Sequence, residues 1–269
     1  MLESVVVKQL TTQQEYEQVF ALEQEIWQSE YEPMHELLKQ DATNVLLIGA
    51  YLHDQLIGFN YSEKKDSALL YSHLLGIKRE YREKGVGELI KLLQKEIAED
   101  EGFMKCLWTF EPLAAYTAHL YFTKLRTYST TYLQDVAPEI GKAIVLPADR
   151  LEVELDVGDH DHLRWDAKIE ELREDAQDIV QSVLNDKGLP MLQAFTPQEL
   201  YVKDAYTLPI PTNFVKVTLE NNELAADWRA KTRAVFTTLF QQGYVVLQLN
   251  PINEHICRYL FVKRSLFAL

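Results

Sequence analysis

Apolar residues recur with two different periods along this 269-residue chain, and the changes of period lay out its elements. Val5 to Gln9 reads as a strand. Thr11 or Thr12 then caps a helix running to about Gln28, with Glu15 as capping-box partner of Thr12. A second, short helix is expected over about Pro33 to Gln40. Val45 to Tyr51 and Leu56 to Tyr61 are strands joined by a hairpin-like turn at His53, Asp54 and Gln55. Ala68 to Ile77 is a further strand. After it, Val86, Ile90, Leu93 and Ile97 fall at helical spacing, and this helix runs to about Glu101 and ends at Gly102. Met104 to Phe110 reads as a strand and Leu113 to about Leu125 as a helix. Ser129 to Gln134 and Leu151 to Val157 are two more strands.

Beyond Gly158 the pattern predicts a charged helix from Asp161 to Asp186, with Trp165, Ile169, Leu172, Ala176, Ile179 and Val183 in one stripe. The remainder reads as two strands, a helix and two strands. That helix, about Glu223 to Gln242, carries Leu224, Trp228, Val235, Phe236 and Leu239 on one face and stops at Gly243. Tyr244 to Leu249 and Tyr259 to Lys263 are its following strands. Apolar stripes must bury against something, so residues 158–269 are expected to form a smaller α+β extension packed on a domain of residues 1–157.

Charge narrows the partners. With 41 acidic against 27 basic residues the net charge is −14, and there is no basic tract, which disfavours nucleic acid and polyanionic partners. A cationic amine would be drawn in. Cys106 and Cys257 each lie in an apolar run and read as buried free thiols in a reducing compartment. The N-terminal MLESVVVKQL has no basic region followed by a long apolar core, and no apolar run approaches ~20 residues. The reading is a soluble, cytoplasmic protein with no membrane partner. Its oligomeric state is left open.

Glycine is scarce, 10 of 269 residues, yet two stand in the turn Arg82-Glu83-Lys84-Gly85-Val86-Gly87, between a strand and a helix. Glycines let backbone approach a ligand, and a helix N-terminus favours an anion. A dinucleotide loop would need a third glycine where Ile90 stands, and the P-loop pattern is absent. What remains is R-x-x-G-x-G directly after an apolar strand, or an ordinary glycine-punctuated turn. The run from Leu75, Gly76 and Ile77 through Gly87 resembles the strand–loop–helix signature of the GNAT acyltransferase superfamily, and the element order over residues 1–157 matches that family. Ser72-His73-Leu74, Leu107 to Leu113, Pro147 to Arg150 and Asp227 to Arg233 further resemble a group of bacterial predicted GNAT proteins with a C-terminal extension. Glu111, Arg126 and Thr117 depart from that group's aspartate, glycine and asparagine.

The resemblance implies an α/β fold of the α+β kind, with a mixed, mostly antiparallel sheet flanked by helices. It implies acetyl-CoA or another acyl-CoA as co-substrate, no metal, and an amine acceptor, taken here to be a small molecule. The amides of Arg82, Glu83, Lys84, Gly85, Val86 and Gly87 would hold the pyrophosphate. Main-chain groups at Leu75, Gly76 and Ile77 would polarise the thioester carbonyl where strands splay apart.

Proton transfer needs side chains. Strand alternation puts Tyr71, His73, Leu75 and Ile77 on one face. The resemblance puts a base four or six residues before Ile77, at His73 or Tyr71. Imidazole ordinarily changes charge near neutral pH; the bland alternative is a histidine satisfied in the core or at a sheet end. Glu111, just past the next strand, is a second candidate base, or else caps the following helix. The family's acid for the leaving thiolate is a tyrosine at the place of Phe122; Tyr121 or Tyr116 would have to substitute, or both are packing and water serves. Asp159-His160-Asp161-His162 offers metal-like ligands without a distant partner set, and is read as no metal site. Arg229, Lys231 and Arg233 read as a solvated face, with Arg229 or Arg233 able to meet an acid. Two other classes fit the same chain: a non-catalytic acyl-CoA-binding or regulatory module, and a structural protein that binds no CoA.

Overall fold

The computed structural model describes residues 4–27, 44–136, 149–158, 162–194 and 203–267, with residues 162–165 described by main chain only. These form two compact units. The helix expected over Pro33 to Gln40 and the run Asp159 to Asp161 lie outside the described residues.

The first unit comprises residues 4–27, 44–108 and 154–158. Its strands are β1 (Val6–Gln9), β2 (Val45–Leu52), β3 (Gln55–Lys64), β4 (Leu69–Ile77) and the part of β5 (Lys105–Phe110) up to Trp108. Neighbours pair in that order, antiparallel except for β4 and β5, which are parallel. The mixed, mostly antiparallel sheet expected from the sequence is present here. The β2–β3 turn is tight because His53 and Asp54 both take positive φ, 48° and 63°, the twist a two-residue hairpin needs.

Helix α1 (Gln13–Trp27) starts at the capping box read in the sequence. The amide of Glu15 donates to Thr12 Oγ1 at 3.3 Å, and the amides of Thr11 and Thr12 donate to Glu15 Oε2 at 2.9 and 3.0 Å. Lys8 donates to the other oxygen, and this bond holds the Glu15 carboxyl down at about 2. On one sheet face Val19 and Leu22 of α1 join Leu10, Leu47, Leu56, Phe59 and Tyr61 in the core. Helix α2 (Val86–Asp100) covers the opposite face, burying Val86, Ile90, Lys91, Gln94 and Ala98. Gly102, at φ 82°, ends it as expected.

One expectation fails inside β4. Tyr61 pairs with Leu74 and Ser62 with Ser72, so His73 is an extra residue opposite a regular step of β3. This is a β-bulge, and it inverts the alternation beyond it. Ser72 faces α2, where Lys91 bonds it, and so does Ile77, five positions on, whose Cγ1 lies with Ile90 around Gly58. Leu74 and Gly76 face α1. Tyr71, His73, Leu75 and Ile77 therefore do not share one face; the pairing partner, not β4 itself, sets the break.

The second unit contains residues 109–136, 149–153, 162–194 and 203–267. Strands β6 (Tyr128–Leu133), β12 (Tyr244–Pro251), β13 (Ile256–Lys263) and β11 (Ala205–Pro211) pair antiparallel in that order, and β8 (Gln177–Asp178) joins β11 in parallel. The short strands β9 (Ser182–Leu184) and β10 (Pro190–Leu192) form a separate hairpin. The last described strand, β7 (Arg150–Asp156), contributes residues to both units. Residues 109–136 cluster with the C-terminal segment.

Helix α5 (Asn222–Gln241) carries the stripe read in the sequence: Leu224, Trp228, Val235, Phe236 and Leu239 are buried. Asn221 caps it, accepting from the amide of Leu224 at 3.0 Å, and Trp228 Nε1 donates to Pro190 O at 2.8 Å. Phe236 packs among the rings of Tyr132, Tyr259 and Phe261. The long charged helix is a correction. Helix α4 spans only His162–Glu174, and Ile179 and Val183 belong to extended chain, with the Ile179 amide donating to Thr207 O and Val183 opposite Met191. Glu170, Glu171, Glu174 and Asp175 crowd the negative end of the helix dipole, and the β-branched run that follows suits a pleated surface. The helix predicted over Leu113 to Leu125 is also shorter: α3 covers Ala115–Ala118 and widens into a π-helix over His119–Lys124.

Candidate functional site

Strand β4 is paired on both edges at first. Its ladder with β5 runs from Leu69↔Lys105 to Tyr71↔Leu107 and stops, while its ladder with β3 continues to Gly58↔Ile77. From Ser72 to Ile77 the β5-facing edge of β4 is thus outside that ladder, and its main-chain groups need partners other than β5. Leu75, Gly76 and Ile77 lie on this stretch. Gly76 is tightly placed: a Cβ there would come within 2.7 Å of Phe59 and 2.9 Å of Trp27.

Past Ile77 a 3-10 turn, Arg79–Tyr81, leads into the glycine loop. Arg82 Nε donates to Ile77 O at 3.0 Å, tying the loop back to the strand end. Glu83 and Gly85 take positive φ, 62° and 87°, and Gly85 is the N-cap of α2 with no side chain capping the helix. The first-turn amides of Val86, Gly87 and Glu88 precede the helix's first i→i−4 bond, from the Leu89 amide to Gly85 O, and the helix dipole is positive there. Arg82, Glu83 and Lys84 are exposed, whereas Val86 and Gly87 are buried. Glycine at 85 answers a conformational demand.

The bulge turns His73 toward β3. Its Nε2–H donates to Glu63 Oε2 at 2.9 Å, and its ring lies 5.4 Å from that of Tyr61 and 4.7 Å from that of Tyr71. Glu63 also accepts from Lys65, and this bond and the one from His73 keep its carboxyl below the usual range. A neutral imidazole donating through Nε2 keeps its Nδ1 lone pair as the proton acceptor. Burial pushes the neighbouring Tyr61 phenol up to about 12. Glu63 was not singled out from the sequence, because only the β3–β4 pairing brings it to His73.

Beneath the bulge lies a closed ring of five buried polar side chains. Asn60 Nδ2 donates to Ser72 Oγ at 2.7 Å, and Lys91 Nζ donates to the same oxygen at 2.8 Å. Lys91 also donates to Gln94 Oε1 at 2.9 Å, Gln94 Nε2 donates to Ser62 Oγ at 2.6 Å, and Ser62 Oγ donates to Asn60 Oδ1 at 2.8 Å. Lys91 Nζ stands 3.9 Å from the centre of the Trp108 ring. Lys91 and Gln94 sit three apart on the buried face of a helix that is otherwise apolar there, a signal present in the sequence but passed over.

Burial lowers Lys91 to about 7. Between that value and the ordinary lysine range near ~10.4, the unfolded chain holds a proton that the folded protein has released, so stability rises with pH across this window. Cys106 faces Lys91, with Lys95 near it; burial pushes the thiol to about 11, above the window. We expect native stability, relative to Lys91→Met, to gain roughly 2 kcal/mol between pH 7 and pH 9, at about 1.4 kcal/mol per unit at most. Urea midpoints of both proteins at the two pH values test this; a constant difference would contradict it.

The other expected site residues stand in the second unit. Glu111 is held twice: its Oε1 accepts from the Leu113 amide at 2.9 Å and its Oε2 from Arg229 Nη2 at 2.5 Å, with Arg150 at 4.0 Å. Arg229 is 3% exposed and is not on a solvated face. Arg233 meets Asp149 and Asp135 instead. Tyr121 is buried edge-on against Phe110 at 5.2 Å, and burial drives its phenol well above the usual value. Among the described residues no group of three or more His, Cys, Asp or Glu side chains is placed to hold a metal, and no helix is long and apolar enough to cross a membrane.

Comparison with solved structures finds acetyltransferases among the neighbours. The chain is similar to GNAT-family acetyltransferases. The ribosomal-protein-S18-alanine N-acetyltransferase from Escherichia coli aligns at 12% identity over 57% of this chain and 94% of its own, with a TM-score of 0.48. An aminoglycoside 6'-acetyltransferase type Ii aligns at 13% over 58% and 99%, also at 0.48. A GNAT family acetyltransferase from Elizabethkingia anophelis with acetyl-CoA bound aligns at 17% over 58% and 99%, at 0.43. No family model and no curated protein matches the chain.

Proposed function

We propose that this protein transfers an acetyl or other acyl group from acyl-CoA to the amine of a small molecule. The observation that carries the reading is local to β4. Its ladder with β5 ends at Tyr71, a bulged histidine oriented by a carboxylate follows, and the glycine loop opens α2 a few residues later. These match the needs of acyl transfer in chain order: a main-chain edge outside the β5 ladder for the thioester carbonyl, a base, and an anion cradle for the pyrophosphate. His73 Nδ1 takes a proton from the amine as its nitrogen bonds to the carbonyl carbon. The carbon–sulfur bond then breaks, and the thiolate leaves and takes a proton from water. The net charge of −14 favours a cationic acceptor.

Calorimetry with acetyl-CoA tests the cradle. Gly85→Glu adds a carboxylate and a side chain where φ is 87°, and Gly87→Glu adds charge at the first helical turn. Each is expected to lose at least about tenfold in affinity, about 1.4 kcal/mol. Native protein that ignores acetyl-CoA would sink the proposal. A non-catalytic acyl-CoA-binding module is the second reading, favoured by the burial of Tyr121 and by Phe122 at the place of the expected acid. Release of CoA in the presence of any member of an amine panel separates the two.

A further inference from the structure

We propose that Lys91 is a positioning residue for acyl transfer, holding the β4 bulge at His73 through Ser72 and Asn60 so that the main chain after it meets the thioester carbonyl. The inference rests on the acyl-transfer reading and adds a residue that touches neither substrate nor cofactor in it.

The side chain of Asn60 straddles the bulge. One amide hydrogen goes to Ser72 Oγ at 2.7 Å, just before His73, and the other to Leu74 O at 2.8 Å, just after it. A bulge is a local irregularity that regular pairing could absorb by a slip of register, so something must hold it in place. Asn60 does so only while its amide plane is fixed. Its carbonyl oxygen is fixed by Ser62, Ser62 by Gln94, and Gln94 by Lys91, which returns to Ser72. Lys91 is the member that links the two halves of this circuit, and it reaches the strand from α2, whose N-terminus carries the glycine loop. Helix and bulge are thereby set against each other by one amino group. Every member is at most 4% exposed, so no water takes over a lost bond cheaply.

The test uses the full-length protein and acetyl-CoA labelled with carbon-13 at the acetyl carbonyl, read by isotope-edited infrared. In the native protein the thioester stretch falls below its value in free acetyl-CoA. In Lys91→Met and in Ser72→Ala it moves most of the way back, while affinity for unacylated CoA stays within about threefold and turnover falls with KM for acetyl-CoA unchanged. A purely structural role would weaken CoA binding and stability and leave the stretch of whatever binds in place. Variants whose stretch equals the native one overturn the inference. If Lys91→Met does not fold, Ser72→Ala decides alone, since it removes one hydroxyl and breaks the same link. A native protein that binds acetyl-CoA without shifting the stretch overturns the inference and spares the acyl-CoA reading; one that does not bind acetyl-CoA overturns both.

Discussion

Replacing His73 by alanine is expected to lower turnover by roughly 10²–10⁴, the usual scale for a general base, with the affinity for acetyl-CoA nearly unchanged. Both halves follow from where His73 stands. Its ring packs between Tyr61 and Tyr71 and bonds Glu63, so losing it removes a proton acceptor and not a phosphate contact. Glu63→Gln is the companion variant. It keeps shape and a hydrogen-bond acceptor for Nε2–H but removes the charge that steadies the imidazolium formed as the amine loses its proton, so turnover is expected to fall, by less than in His73→Ala, with acetyl-CoA affinity unchanged. Steady-state rates against an amine found by screening, together with calorimetry, settle the matter. Native turnover in His73→Ala would place the base elsewhere.

Glu111→Ala is expected to cost about 3–5 kcal/mol of stability, the range for breaking a buried ion pair from one side. Arg229 is nearly inaccessible, and its Nε and Nη1 have no hydrogen-bond partner among the described residues, so the Glu111 carboxylate is its main compensation there. Removing Arg229 as well, as Glu111→Leu with Arg229→Met, should recover most of the loss, because the uncompensated charge goes with it. Chemical denaturation of the three proteins measures this. If Glu111→Ala unfolds at the native midpoint, Glu111 is free of this structural duty and returns as a candidate base.

The sequence was most legible where structure is local. Thr12 and Glu15 meet across one helical turn, Gly102 and Gly243 end helices at positive φ, and the glycine loop opens α2 where the spacing of Val86 and Ile90 put it. It was least legible where a distant partner decides. The bulge at His73 depends on Tyr61 and Ser62, the role of Glu111 on Arg229 far along the chain, and the strands after Glu174 on β11 and on a hairpin partner. The π-helix over His119–Lys124, with more residues per turn than an α-helix, is likewise not marked by the spacing from Leu113 to Leu125.

The ring around Lys91 has a sense of circulation. With Lys91 charged, Ser72 Oγ accepts two bonds, from Asn60 and Lys91, and the donors converge on it. With Lys91 neutral, the Ser72 hydroxyl can turn and donate to the amine. Every bond then points the same way: Asn60 to Ser72, Ser72 to Lys91, Lys91 to Gln94, Gln94 to Ser62, Ser62 to Asn60. Chains of aligned hydrogen bonds polarise one another, so the one-way circle is strengthened as the ammonium gives up its proton. Deprotonation of Lys91 thus leaves the heavy atoms in place and reverses a single hydroxyl, storing the protonation state of the core in the direction of one O–H bond.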